Sequence, residues 1–155
     1  MPQIFWDSDG VCADFNTHCF NNFGKFPREM KDPEMWELIH ATEDWWPSMP
    51  LMPGAHALWD VVKHLNPIVL TGCPRGRYEH ASVHKKVWWK THFDHDAVIT
   101  CLSKDKPLHM QNPGDVLVDD MYKNIKKWRA AGGVGILHKT NEQTIAELTE
   151  LGVLS

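Results

Sequence analysis

Five short apolar runs punctuate the chain: Gln3–Asp7, Pro67–Thr71, Ala97–Thr100, Val116–Asp119 and Gly133–Leu137. Each is rich in Val, Ile and Leu and lacks strict alternation of apolar and polar positions. That pattern predicts strands buried on both faces of a parallel sheet. Amphipathic stretches lie between them. Ala55, Leu58, Val61, Val62 and Leu65 recur at helical spacing after Pro53-Gly54. Tyr78–His92 is long enough for another helix. Ile125, Trp128 and Ala131 mark a third, stopped by Gly132-Gly133. Thr140 to Gln143 reads as a capping box ahead of Ile145, Leu148 and Leu151. Strands alternating with helices imply right-handed βαβ units and an α/β, doubly wound, Rossmann-like parallel sheet.

Residues 14–52 break this rhythm. The segment has no good strand candidate and carries Phe15, Phe20, Phe23, Phe26, Trp36, Trp45 and Trp46, with prolines at 27, 33, 47 and 50. It predicts a small helical insert after the first strand. The expected organisation is a core of residues 1–13 and 53–155 with residues 14–52 as a cap.

Composition narrows the classes. The chain has 155 residues, 43% hydrophobic and 23% charged, which fits one globular domain. Sixteen Lys and Arg against twenty Asp and Glu give a net charge of −4, unlike the basic balance of a protein that coats polynucleotides. No apolar run approaches the roughly 18 residues of a membrane span. The N-terminal residues show no signal-peptide pattern. Cys12, Cys19, Cys73 and Cys101 form no C-x-x-C pair and read as reduced thiols. The expectation is a cytoplasmic protein.

Chemistry-bearing residues fall where the strands end. Asp7 and Asp9 follow the first, Thr71 ends the second, and Asp119 and Asp120 end the fourth. In an open α/β sheet these ends form the ligand-binding edge. Asp7, Asp9, Asp119 and Asp120 brought together would repel one another without a cation. Hard carboxylate oxygens suit Mg²⁺.

The ordered set Asp7-Ser-Asp9-Gly10-Val11, Thr71, a lysine, and Asp119-Asp120 resembles the haloacid dehalogenase superfamily of phosphatases. Within it, the runs Asp7–Phe15, Met52–Ala55, Lys104–Lys106 and Val116–Asp120 are similar to the 5′(3′)-deoxyribonucleotidase branch. The resemblance implies a Mg²⁺-dependent phosphomonoester hydrolase acting on nucleoside or deoxynucleoside monophosphates. In that scheme Asp7 is the nucleophile, ionised at neutral pH like an ordinary Asp, whose pKa is about 3.9. Asp9 is the general acid and base. Thr71 and the backbone at Gly72 hold phosphate oxygens. Lys106 pairs with Asp7 and the phosphate, and Lys104 supplies a second cation. Asp7, Asp9, Asp119 and Asp120 are the metal set. An aspartate at position 9 favours phosphomonoester hydrolysis over the family's other chemistries.

The same resemblance implies that Phe15, Trp36, Trp45 and Trp46 enclose the base, where stacking contributes roughly 1–3 kcal/mol. The chain departs from the branch at Gly72, where a hydroxyl residue is common, at Met121, where an arginine is frequent, and at Trp6. Alternative readings are a phosphatase for a polynucleotide 3′-phosphate or another small phosphometabolite, and a module that binds phosphate without hydrolysis. His80 and His84 have zinc-compatible spacing but no third ligand in register. Lys85, Lys86 and Lys90, with Lys123, Lys126 and Lys127, read as solvated faces rather than a polynucleotide patch. Trp59 and Trp128 read as core. The oligomeric state stays open, a homodimer included.

Overall fold

A computed structural model describes all of residues 1–155. Five parallel strands form one sheet: β1 (Ile4–Trp6), β2 (Ile68–Gly72), β3 (Val98–Cys101), β4 (Val116–Asp119) and β5 (Val134–Leu137), in the order β3-β2-β1-β4-β5. All five predicted runs are strands, with boundaries shifted by about one residue. The order winds outward from β1 in both directions, so the sheet is doubly wound as expected. The crevice beside the C-terminal end of β1 is the position where such sheets bind ligands.

The absence of alternation in the apolar runs has a direct cause. Successive side chains point to opposite faces of the sheet, and both faces are covered. Ile4, Trp6, Val69, Val116, Val118 and Ile136 join the larger apolar cluster, whereas Phe5, Leu70 and Leu117 join the smaller one. Helices α3 (Ala55–Val62), α4 (Tyr78–Phe93) and α6 (Asn141–Glu150) contribute to the first cluster, and α5 (Tyr122–Ala130) to the second. Thr140 caps α6 as its sequence implies, accepting from the Gln143 amide at 3.1 Å. Trp59 and Trp128 are buried.

Residues 14–52 hold helices α1 (Phe15–Phe23) and α2 (Asp32–His40), joined by a short 3₁₀ turn at Pro27–Glu29, with no strand. The ends of the segment lie side by side. The Asp14 amide donates to Pro50 O, and the Met52 amide donates to Cys12 O, both at 2.8 Å. The chain therefore leaves and re-enters the sheet layer at one point, above the end of β1. Met35, Ile39, Trp45 and Trp46 belong to the same apolar cluster as β1 and β2, so the insert packs on the sheet layer rather than on itself alone. No helix is long and apolar enough to cross a membrane.

Candidate active site

Asp7 follows β1 directly, and its amide donates to Val118 O at 2.9 Å, extending the pairing with β4. The chain then turns sharply. The Ser8 carbonyl accepts from the amides of Val11, Cys12 and Ala13. Gly10 makes that turn at φ +83°, and a Cβ there would overlap the Asp120 carboxylate. Both the positive φ and the close approach require glycine.

Asp119 ends β4 and is fully buried. Its Oδ1 accepts from the Met121 amide at 2.8 Å. Its Oδ2 accepts from Lys106 Nζ at 2.7 Å and from Asn124 Nδ2 at 3.1 Å. Lys106 comes from the 3₁₀ segment Ser103–His109 and also donates to Asp7 Oδ1 at 2.8 Å. One buried ammonium thus bridges the ends of β1 and β4. Burial alone would lower its pKa, but Asp7 and Asp119 outweigh burial and the net direction is upward.

Three carboxylates share this place. Oxygens of Asp7, Asp119 and Asp120 lie within 4.8 Å of one another. Burial, then Asp119, push the Asp7 carboxyl well above its ordinary range against the pull of Lys106. Asp120 is pushed up to about 6, chiefly by burial, with Asp119 and Asp9 adding to it. Burial and the neighbouring acids thus oppose ionisation of Asp7, and Lys106 favours it. One lysine does not balance three clustered acids, two of them buried. Asp120 Oδ1 is buried without a hydrogen-bond partner. An orphaned acceptor and an excess of negative charge both fit a divalent cation held by hard oxygen ligands. Asp9 is not one of the three. Its Oδ2 accepts from Lys85 at 2.8 Å, which draws it out of the metal set expected from sequence.

Above the acids opens a cavity of about 340 Å³, within the range of small-molecule sites. Its floor includes Asp7, Asp9, Lys106 and Asp120, and its walls include Phe15, Trp36 and Gly72. Phe15 and Trp36 face each other with ring centroids 6.2 Å apart. The other two expected aromatics are elsewhere. Trp45 is buried against Phe15, Phe23 and His18, and Trp46 lies edge-on to it. Neither lines the cavity. Tryptophans in a segment without periodicity carry no signal of facing, and these two fill the layer between insert and sheet.

Thr71 is fully buried at the end of β2, and its Oγ1 accepts from Lys85 Nζ at 2.9 Å. Thr71 and the exposed Lys104 do not line the cavity. Gly72 does, and a Cβ there would overlap the Ser103 hydroxyl. Ser103 thus supplies a hydroxyl at the place where a side chain on residue 72 would begin. Cys73 also lines the cavity, but burial raises its thiol pKa and keeps it protonated. All four cysteines are free and buried.

Three residues escaped the sequence reading. Ser103 and Asn124 have no motif of their own. Lys85 reads as one lysine of a solvated face, yet it is only 4% exposed. It falls on the buried stripe of α4 with Ala81, Ser82, Trp88 and Trp89. Helical spacing from the tryptophans is the one signal that could have found it. His80 and His84 lie against each other with ring centroids 4.3 Å apart and planes tilted by 52°, and no third metal-ligating side chain joins them.

No protein-family profile matches the sequence, and no curated protein matches it. Solved structures match its fold. A haloacid dehalogenase family hydrolase from Deinococcus radiodurans R1, determined with bound phosphate and sodium, aligns over 100% of this chain and 98% of its own, with TM-score 0.58 and 12% identity. A haloacid dehalogenase superfamily hydrolase from Ehrlichia chaffeensis aligns over 97% of this chain and 98% of its own, with TM-score 0.52 and 16% identity. A hydrolase from Pseudomonas syringae aligns over 100% of both chains, with TM-score 0.50 and 14% identity. The fold of this chain is the Rossmann-like fold of that superfamily.

Proposed function

We propose that the protein is a Mg²⁺-dependent phosphomonoester hydrolase of the haloacid dehalogenase superfamily, acting on nucleoside or deoxynucleoside monophosphates. One observation carries this reading. Asp7 lies at the floor of the cavity, hydrogen-bonded to a buried lysine and grouped with two further carboxylates, beneath a pair of aromatic rings. The fold likeness, and the phosphate bound in one relative of that fold, support it.

Asp7 and Asp120 would hold the cation directly. Asp120 has the unpartnered oxygen, whereas both oxygens of Asp119 are already bonded. Asp119 orients Lys106 and adds charge nearby. When bound, the cation supplies positive charge that offsets the crowded acids and the phosphate oxygens.

The chain's own residues do the rest. An Asp7 carboxylate oxygen attacks phosphorus and the bond to the ester oxygen breaks, leaving an aspartyl-phosphate. Asp9 gives a proton to the departing ester oxygen. It then takes one from the water that attacks phosphorus and releases inorganic phosphate and Asp7. Lys106 holds Asp7 in place and meets the phosphate charge. The Ser103 hydroxyl and the backbone at Gly72 face the phosphate, and Phe15 and Trp36 stack on the base.

The test is phosphate release with Mg²⁺ from 5′- and 3′-ribo- and deoxynucleoside monophosphates, beside sugar phosphates and a 3′-phosphorylated oligonucleotide. Selective release from mononucleotides is expected. Release from sugar phosphates alone would keep the phosphatase and reject the base pocket. Release from the oligonucleotide alone would mark a polynucleotide phosphatase. A second reading, a smaller phosphate ester, is favoured by the removal of Trp45 and Trp46 from the cavity wall.

A further inference from the structure

Lys85 is a buried charge that the mechanism above does not use. It lies in the middle of α4 on the helix's buried stripe, where an apolar side chain would pack without penalty. Placing an ammonium there costs several kcal/mol of desolvation, and buried ion pairs seldom return that as net stability. The surroundings are built to hold it. Nζ donates to Asp9 Oδ2 at 2.8 Å, to Thr71 Oγ1 at 2.9 Å and to Gly72 O at 2.8 Å. An ammonium has three hydrogens, and each has an acceptor. The Trp46 ring covers it, with Nζ 4.8 Å from the ring centroid.

Those three acceptors have one thing in common. They belong to the turn after β1 and to the end of β2, on either side of the cavity floor. Lys85 fixes the distance between them. It also sets which atoms remain free. Asp9 Oδ2 is committed to Lys85, so Oδ1 is the oxygen left to carry a proton. Thr71 Oγ1 accepts from Lys85, so its own hydrogen is left to donate. Trp46, which belongs to the insert, makes this arrangement depend on the insert's packing.

We propose that Lys85 is a positioning residue for proton transfer to the leaving group, acting through Asp9 and Thr71. This rests on the phosphomonoesterase reading above. A group that positions the acid matters for a leaving oxygen that needs a proton. It matters little for one that departs as a stable anion.

The experiment compares two esters on the full chain with Mg²⁺: a nucleoside 5′-monophosphate, whose alkoxide leaving group needs protonation, and p-nitrophenyl phosphate, whose phenolate does not. General acid catalysis contributes typically 10²–10⁴-fold. Lys85→Met is expected to lower kcat on the nucleotide at least about tenfold more than on the aryl ester, with KM for both little changed. Asp9→Asn is expected to show the same selectivity, and the double variant no more than Asp9→Asn alone. Lys85→Gln, which keeps a donor toward Asp9 without the charge, is the second variant should Lys85→Met fail to fold; a smaller selective loss is expected. Equal loss on both esters, or selectivity that multiplies in the double variant, would overturn the role of Lys85 while leaving the phosphatase standing. A wild-type protein inert toward both esters, and toward the sugar phosphates and oligonucleotide above, would overturn the phosphatase reading and this role with it.

Discussion

Lys106 Nζ lies 2.8 Å from Asp7 Oδ1, and both side chains are buried. The lysine also holds Asp119, so one buried ammonium serves two buried acids. Removing one partner of a buried pair costs about 3–5 kcal/mol because the other charge is left unpaired. Lys106→Met should therefore lower unfolding stability by roughly that amount, read from urea midpoints without Mg²⁺. Adding Asp7→Asn to Lys106→Met should recover part of the loss. An unchanged midpoint in the single variant would mean that the pair contributes nothing.

Metal binding by the acidic group would depend on pH. Asp120 has its carboxyl raised to about 6, first by burial. An acid raised in the fold keeps its proton while the unfolded chain has already lost its own. Metal-free stability therefore falls as pH rises from about 4 through about 6. A Mg²⁺ ion held there would displace that proton, so its stabilising effect should be largest above pH 6 and fade as pH falls through it. At a hundredfold excess over Kd the gain is about 2.7 kcal/mol, several degrees in Tm. Thermal melts at pH 7.5 and pH 5, each with Mg²⁺ and with EDTA, check this. A shift of equal size at both values would contradict it.

Gly72 and Ser103 form a second testable pair. A side chain at 72 would overlap the Ser103 hydroxyl. Gly72→Ser should lower kcat/KM because two groups compete for one space. Gly72→Ser with Ser103→Gly should restore most of it, since the hydroxyl then comes from the other strand end. Steady-state kinetics on the preferred ester decide. A double variant worse than both singles would show that the two positions do not exchange.

The rings separate by role. Trp36 lines the cavity, and its loss to Ala should raise KM for a nucleoside monophosphate by the worth of one stacking contact, about 1–3 kcal/mol or roughly 5- to 150-fold. The same variant should cost less stability than the loss of a fully buried tryptophan, because Trp36 is only partly buried against the core. Trp45 is buried among Phe15, Phe23 and His18, and Trp45→Ala should cost about 3–5 kcal/mol of stability. Urea unfolding and KM measured on both variants test the division. A KM effect confined to Trp45→Ala would reverse it.

The legible part of this chain is the part that obeys a period. β1 to β5 were readable because both faces of the sheet are covered, so each run is apolar throughout. Asp7 and Asp119 were readable because they end such runs. Residues 14–52 have no period: their composition implies helices, but nothing in it marks which tryptophans face the cavity. Lys85 was hidden for a related reason. Lys85, Lys86 and Lys90 share one helix and look alike in sequence, but Trp46 and Asp9, distant along the chain, bury only the first. Asn124 and Ser103 are polar residues of a helix and a turn, and only the folded arrangement sets them beside Asp119 and Gly72.

If Asp7 carries the phosphoryl group, the covalent intermediate can be trapped on it. The most direct measurement is acid quenching of the protein during turnover of a ³²P-labelled substrate, followed by hydroxylamine treatment and mapping of the labelled peptide. The account predicts hydroxylamine-labile label on the peptide containing Asp7, and neither label nor phosphate release from a folded Asp7→Asn variant. Label on a different residue, or undiminished phosphate release by Asp7→Asn, would contradict it.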